Sequence, residues 1–149
     1  MKLHPAATKD ELIDILLVED DKFDSLVTQH YLRQGRLNYR LHVVRKGSEA
    51  FDFLNQHGRY KHAPPPHLVI VDIGLPDMDG RQILEALNKD PRLDRISTVV
   101  LTGQALDGNP IRQFNLYEHA YLNKWINMDD FLSLINAIAD FHASSNRSQ

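Results

Sequence analysis

The chain has no cysteine among its 149 residues. This excludes disulfides, thiolate metal sites and thiol nucleophiles, and it fits a reducing compartment such as the cytoplasm. No apolar run approaches the roughly 20 residues that a membrane-spanning helix requires. The first residues, 1–11, also lack the apolar stretch of a secretory signal peptide. These absences predict a cytoplasmic protein that does not insert into a membrane.

Runs of basic residues are also missing. The net charge is −3 and the lysines and arginines are scattered, which argues against a nucleic-acid-binding protein. The length is sufficient for one domain with a proper core, and no repeat or linker divides it. We therefore predict an N-terminal extension at 1–11, one domain at 12–142, a flexible tail at 143–149 and no output domain.

Strand-like and helix-like segments alternate along the chain. Five strands are predicted at 14–18, 40–44, 68–71, 98–101 and 120–123. Five helices are predicted at 24–33, 48–55, 81–87, from Pro110 onward, and at 129–141. This alternation predicts a parallel sheet with helices on both faces. Ligands of such sheets bind outside the carboxyl ends of the strands.

Acidic residues stand at two of these carboxyl ends. Glu19, Asp20 and Asp21 follow the first strand, and Asp72 follows the third. Like charges at close range are costly unless a cation neutralises them or one carboxyl group keeps its proton. We therefore predict a hard divalent cation held next to a reactive carboxylate.

Two further polar residues follow the remaining strands. Thr102 follows the fourth strand and Lys124 the fifth, while Arg45 follows the second and is assigned no role. Oxygen ligands suit Mg²⁺, and a carboxylate beside such an ion can attack a phosphoryl group. Phosphoryl transfer needs mainly positioning and charge neutralisation, which the metal and Lys124 would supply.

This arrangement resembles the response-regulator receiver domains of two-component signalling. The resemblance runs from about 14 to 141 and rests on four motifs in order: ILLVEDD at 15–21, VDIGLPDMDG at 71–80, VVLT at 99–102 and AYLNK at 120–124. It implies a doubly wound, flavodoxin-like fold with five parallel strands in the order 2-1-3-4-5 and five helices. It also implies output by protein–protein contact or by phosphoryl relay to another histidine.

The resemblance assigns the chemistry of the site. Asp72 would accept a phosphoryl group from the phosphohistidine of a sensor histidine kinase. Mg²⁺ would be bound by Asp20, Asp72 and the backbone carbonyl of Gly74, and by Glu19 through water, with Asp21 secondary. The protein would catalyse its own phosphorylation and dephosphorylation, without acting as an enzyme on other substrates.

The same resemblance assigns a switch. Thr102 would hydrogen-bond one phosphoryl oxygen and Lys124 would pair with another. Tyr121 matches the aromatic residue that turns inward when Thr102 is drawn towards the phosphate. Receivers usually carry proline after the lysine, often with a cis bond, whereas Trp125 stands here. A cis bond without proline costs about 3–4 kcal/mol, so we expect a trans bond between Lys124 and Trp125.

A narrower resemblance points to the kinase. The chain is similar to the small stand-alone regulators of cyanobacterial and bacterial phytochromes in the segments HGRY at 57–60, DGRQIL at 79–84, KDPRL at 89–93 and IADF at 138–141. This resemblance implies a phytochrome, a light-sensing histidine kinase, as the phosphoryl donor.

The last predicted helix carries a wide apolar stripe. It covers about half of the circumference, which is more than one core face needs. The surplus predicts a homodimer interface, and a deeply packed helix is the alternative. The interface candidates are Phe131, Leu134, Ile138 and Phe141.

Two other functions remain open. A Mg²⁺-dependent phosphohydrolase of similar topology would place two acids around one residue at its nucleophile, but Ile73 and Gly74 follow Asp72. A degenerate receiver acting only as a scaffold is the other possibility, and only Trp125 favours it.

Overall fold

The computed structural model describes residues 12–102, 119–123 and 128–147. The strands of this part are β1 (Ile13–Val18), β2 (Tyr39–Val44), β3 (Leu68–Asp72), β4 (Ser97–Thr102) and β5 (His119–Asn123). The helices are α1 (Lys22–Gln34), α2 (Gly47–Asn55), a short 3₁₀ helix (Gly58–Tyr60), α3 (Arg81–Lys89) and α4 (Met128–Arg147). The helix predicted from Pro110 lies outside the described residues.

The five strands form one parallel sheet in the order β2-β1-β3-β4-β5. This confirms the predicted doubly wound, flavodoxin-like topology. The strand order reverses between β1 and β3, where Val18 lies opposite Val71. The residues that follow this pair therefore stand at the position where open α/β sheets bind ligands.

The side chains of the central strands alternate between two apolar layers. Leu16 and Val18 pack in the layer beneath α2 and α3, whereas Ile15 and Leu17 pack in the layer beneath α4 and part of α1. Successive side chains of a strand point to opposite faces, so a strand covered on both faces is buried on both and is nearly all apolar. This explains why β1 is buried along its whole length.

Helix α4 packs against α1 on one face of the sheet. The Phe131 ring lies 6.0 Å from the Tyr31 ring, centre to centre. Phe131 is only 3% exposed and belongs to the core with Ile135. Within one chain, α1 and the sheet already cover Phe131, which favours the alternative of a deeply packed helix at this residue; its place in a dimer interface stays an untested prediction.

The other interface candidates differ in position. Leu134 and Ile138 are half-buried and pack against the same core, while the side chain of Phe141 lies outside the described residues. The wide apolar stripe is thus explained in large part by core packing. Some of the Leu134 and Ile138 surface remains accessible.

The end of the chain also differs from the prediction. Helix α4 continues to Arg147, whereas the sequence predicted a helix ending at 141 and a flexible tail from 143. No glycine or proline stands between these two points. The helix therefore meets none of the residues that most strongly end a helix.

The extended part of α4 reaches the amino-terminal edge of the sheet. There, Ser97 Oγ lies 3.2 Å from His142 Nε2, and the His67 ring meets the His142 ring edge-on at 5.3 Å. His142 is buried. This burial lowers the pKa of His142, and the nearby His67 lowers it further.

The lowered pKa of His142 predicts a loss of stability in weak acid. The folded state favours the neutral ring, so its contribution is complete above the unfolded pKa of about 6.5 and is lost as pH falls through the folded pKa. Urea unfolding at pH 7.5 and pH 5.5 should show a smaller decrease for His142→Gln than for the wild type. His30→Gln, at an exposed position of α1, is the control and should decrease as the wild type does. An equal decrease in all three proteins would contradict this assignment.

Candidate functional site

Three carboxylates converge at the point where the strand order reverses. Glu19, Asp20 and Asp72 each place an oxygen within 4.8 Å of the others. Glu19 is only 2% exposed, and its N–H donates to Val44 O at 3.0 Å, which continues the pairing of β1 with β2. Asp20 and Asp72 are half-buried. The structure confirms the prediction that these three acids lie close together.

This oxygen cluster fits a hard divalent cation. Mg²⁺ binds through one or two carboxylates and keeps several waters, and three oxygens from separate side chains supply enough negative charge to hold it. Gly74 lies beside the cluster, since its N–H donates to Asp72 Oδ1 at 3.3 Å. The ligand roles of the individual residues, including the Gly74 carbonyl, stay predictions.

Asp21, the third acid of the run, has a different contact. Its side chain accepts a hydrogen bond from the Asp24 N–H at 2.9 Å and caps α1. Aspartate is among the preferred N-cap residues. The sequence prediction missed this role because it started the helix at Asp24 rather than at Lys22.

The remaining predicted residues lie on β4, β5 and beyond. Thr102 is buried at the carboxyl end of β4, one position after Leu101, which pairs with Asp72. Tyr121 lies opposite Val100 in the register of β4 and β5. Its side chain is outside the described part of the structure, as are Lys124 and Trp125 entirely, so the prediction of a trans bond between them is untested.

Sequence reasoning missed the contact that Arg45 makes. Its guanidinium donates a hydrogen bond to the backbone oxygen of Asp20 at 3.3 Å. The contact joins the end of β2 to the loop that carries the acids. Its only signal in the sequence was a basic residue at the end of the strand predicted to lie next to the one that ends in the acidic run.

Comparison with known proteins decides the family. The model of the response regulator receiver domain matches residues 15–136.

The chain belongs to this family.

Response regulator Rcp1 of Synechocystis sp. is 37% identical over 127 residues, which cover 85% of this chain and 86% of Rcp1. The crystal structure of the Mn²⁺-bound form of Rcp1 matches with a TM-score of 0.72 and 36% identity, covering 88% of this chain and 94% of that one. The phosphorylated cyanobacterial phytochrome response regulator RcpA gives a TM-score of 0.72 and 32% identity, with the same coverages. The predicted resemblance to phytochrome response regulators is confirmed.

The loop that follows Asp72 in this receiver is fastened at several points. The Gly80 N–H donates to Ile73 O at 2.8 Å and closes the loop. Asp77 accepts hydrogen bonds from the N–H groups of Gly47 and Ser48, at 2.8 and 3.0 Å. Burial raises the pKa of Asp77, but these hydrogen bonds lower it more, so that it lies below its usual value. The loop is thereby tied to the first turn of α2.

In the described ranges, every helix is too short or too polar to cross a bilayer.

Proposed function

We propose that this receiver accepts a phosphoryl group on Asp72 from a phosphohistidine of a sensor histidine kinase, in a Mg²⁺-dependent reaction. The observation that carries the proposal is the position of Asp72, half-buried at the end of β3 with its oxygens beside those of Glu19 and Asp20. The similarity to phosphorylated RcpA supports it.

The chemistry at Asp72 is a nucleophilic displacement at phosphorus. A carboxylate oxygen of Asp72 attacks the phosphorus, the bond between phosphorus and the donor nitrogen breaks, and the imidazole leaves with the electron pair. A mixed anhydride, aspartyl phosphate, is formed; water later attacks the phosphorus, the bond to the Asp72 oxygen breaks, and the carboxylate is restored with release of inorganic phosphate. Gly74 offers no side chain to block that water, so the phosphorylated state is expected to be of moderate lifetime.

The other residues of the site neutralise charge and position the group. Bound Mg²⁺ would stabilise the charge that spreads over the phosphoryl oxygens. Asp20, Asp72 and the Gly74 carbonyl would hold the ion directly, and Glu19 through water. The Thr102 hydroxyl would donate to one phosphoryl oxygen, and the Lys124 ammonium would pair with another.

The same contacts would supply the signal. Phosphorylation adds charge and strong acceptor oxygens at one point. If Thr102 moves towards them, Tyr121 would turn inward beside it, and a packed aromatic side chain changes between discrete rotamers. The output is then contact with another protein or relay of the phosphoryl group to a second histidine.

The test of this function is direct phosphorylation by a small donor. We expect the wild-type protein, incubated with Mg²⁺ and acetyl phosphate, to gain the mass of one phosphoryl group by intact mass spectrometry. Asp72→Asn keeps the shape of the side chain and removes the nucleophilic oxygen, so it should gain none. A wild-type protein without a phosphorylated species would contradict the proposal.

The kinase itself would dock beside the site. Phe23 is 70% exposed and Leu26 is 53% exposed, and both lie in α1, which begins two residues after Asp20. These two side chains share a face because residues three apart in a helix are neighbours. An apolar pair next to the acidic site suits a partner that must bring its phosphohistidine to Asp72.

Removal of this apolar pair should slow phosphorylation by the kinase but not by acetyl phosphate. The double variant Phe23→Ala with Leu26→Ala is expected to reduce the transfer rate from a cognate phytochrome kinase by about tenfold or more, as loss of central apolar anchors does. Phosphorylation by acetyl phosphate should stay within about twofold, since this donor is too small to need the surface. Leu12→Ala, which removes an exposed apolar side chain before β1, is the control. Equal losses with both donors would contradict the docking role.

The remaining parts of the proposal concern location and assembly. We place the protein in the cytoplasm, where a histidine kinase would phosphorylate it. A homodimer stays a prediction, and Leu134 and Ile138 are the described candidates that keep some surface. Sedimentation at micromolar concentration tests this, and a monomer would remove it.

A further inference from the structure

Arg45 places a positive charge at the rim of the acidic cluster. It follows β2, the strand beside β1 on the side away from β3. Its side chain is exposed, and the guanidinium reaches the backbone oxygen of Asp20 at 3.3 Å. Arg45 thus lies next to a residue of the cluster, on the side opposite to β4 and β5.

In the described ranges, no ion pair neutralises the charge of this guanidinium. No carboxylate of the described residues lies within ion-pair distance of it. Glu49 is engaged elsewhere, since its Oε1 accepts the backbone N–H of Arg45 at 3.0 Å. Its other oxygen, Oε2, pairs with Arg59 at 3.2 Å. The backbone of Arg45 is thus bonded to Glu49, while its guanidinium contacts the Asp20 carbonyl.

The site has a use for such a charge. The carboxylates of Glu19, Asp20 and Asp72 lie together at this edge of the sheet and repel an anion that approaches Asp72. Phosphoryl donors are anions. The lysine expected from the family, Lys124, would approach from the β5 side, and Arg45 stands on the β2 side.

We infer that Arg45 is a positioning residue for the phosphodonor, which offsets the negative charge of the cluster and draws the anion towards Asp72. This inference rests on the proposed function. The same positive charge opposes the binding of Mg²⁺, because like charges repel across the short distance to Asp20. Loss of the charge should therefore strengthen the binding of Mg²⁺ and weaken the attraction of the phosphodonor.

These opposite effects on Mg²⁺ binding and on phosphorylation distinguish a role of the Arg45 charge from a purely structural role of its side chain. If Arg45 only held the loop through the Asp20 carbonyl, its removal would disorder the ligands and weaken both metal binding and phosphorylation. If its charge acts as inferred, Mg²⁺ binds more tightly while phosphorylation slows. Both effects should fade in high salt, since exposed charges are screened there.

The experiment compares three variants with the wild type. Arg45→Gln removes the charge, Arg45→Lys keeps it, and Arg95→Gln removes a charge from an exposed position before the start of β4, at the other edge of the sheet. Calorimetric titration with Mg²⁺ alone gives the metal affinity. Intact mass against time gives the rate with acetyl phosphate at saturating Mg²⁺, in low salt and in high salt.

We expect Arg45→Gln in low salt to bind Mg²⁺ about threefold more tightly and to react about threefold more slowly, with both differences reduced in high salt. Arg45→Lys and Arg95→Gln should behave as the wild type. An Arg45→Gln protein that equals the wild type in both measurements, or that loses both affinity and rate, overturns the inference alone. A wild type that is not phosphorylated overturns the proposed function and this inference with it.

Discussion

Gly80→Ala is expected to lower the free energy of unfolding by about 1–3 kcal/mol, as overpacking of a tight site does. A Cβ on Gly80 would overlap the backbone oxygen of Asp72 and lie 3.0 Å from the Ile73 Cα. Both of these atoms belong to the backbone, so no side-chain rotation relieves the clash. Gly80 has an ordinary backbone angle, φ −57°. The glycine is thus required by close approach and not by a left-handed conformation.

The displaced backbone is that of Asp72, the proposed nucleophile. A shift at Asp72 moves its carboxylate relative to Glu19 and Asp20, and small misplacements of reacting groups are costly in rate. We therefore expect phosphorylation of Gly80→Ala by acetyl phosphate to be slowed by about tenfold or more. The measurements are urea unfolding and intact mass against time.

Gly74→Ala is the matched control for stability. It lies in the same loop, but a Cβ there would meet no atom within 4 Å. Its free energy of unfolding should stay within about 0.5 kcal/mol of the wild type. If the two alanine variants were equally stable, the close approach at Gly80 would not be the constraint that the geometry indicates.

The fold was predictable because its signals are local. Each central strand is a short apolar run that ends in a polar residue, and alternation with helices leaves few arrangements of the sheet. The carboxylates could be placed for the same reason. A residue directly after a parallel strand must lie at the carboxyl edge, so Glu19 and Asp72 meet once β1 and β3 are neighbours.

Contacts between distant segments were not predictable in this way. Asp77 bonds to the start of α2, and Arg45 bonds to Asp20, across loops whose path the sequence pattern does not determine. The packing partner of a helix is likewise not predictable from its own sequence, as Phe131 shows. The width of an apolar stripe gives the surface that must be covered, but not whether α1 or a second molecule covers it.

Asp20→Asn is expected to raise the free energy of unfolding by about 1 kcal/mol when no divalent cation is present. The three carboxylate oxygens lie within 4.8 Å of one another, and removal of one charge relieves their repulsion while the amide keeps the volume. The same change would remove one of the proposed metal ligands. In the wild type, Mg²⁺ at tenfold its dissociation constant should add about 1.4 kcal/mol of stability, and the variant should gain much less.

Without Mg²⁺, the variant should therefore be more stable than the wild type. With Mg²⁺ present, it should nevertheless be phosphorylated more slowly. We expect phosphorylation by acetyl phosphate to fall by about 100-fold, because the charge of the transferred group is no longer neutralised. Asp21→Asn is the matched control: it removes a charge one residue away, and its amide oxygen can still cap α1 at the Asp24 N–H. The control should keep the response to Mg²⁺. If Asp20→Asn responded to Mg²⁺ as fully as Asp21→Asn does, the cation would be held elsewhere. The close grouping of Glu19, Asp20 and Asp72 would then need another explanation.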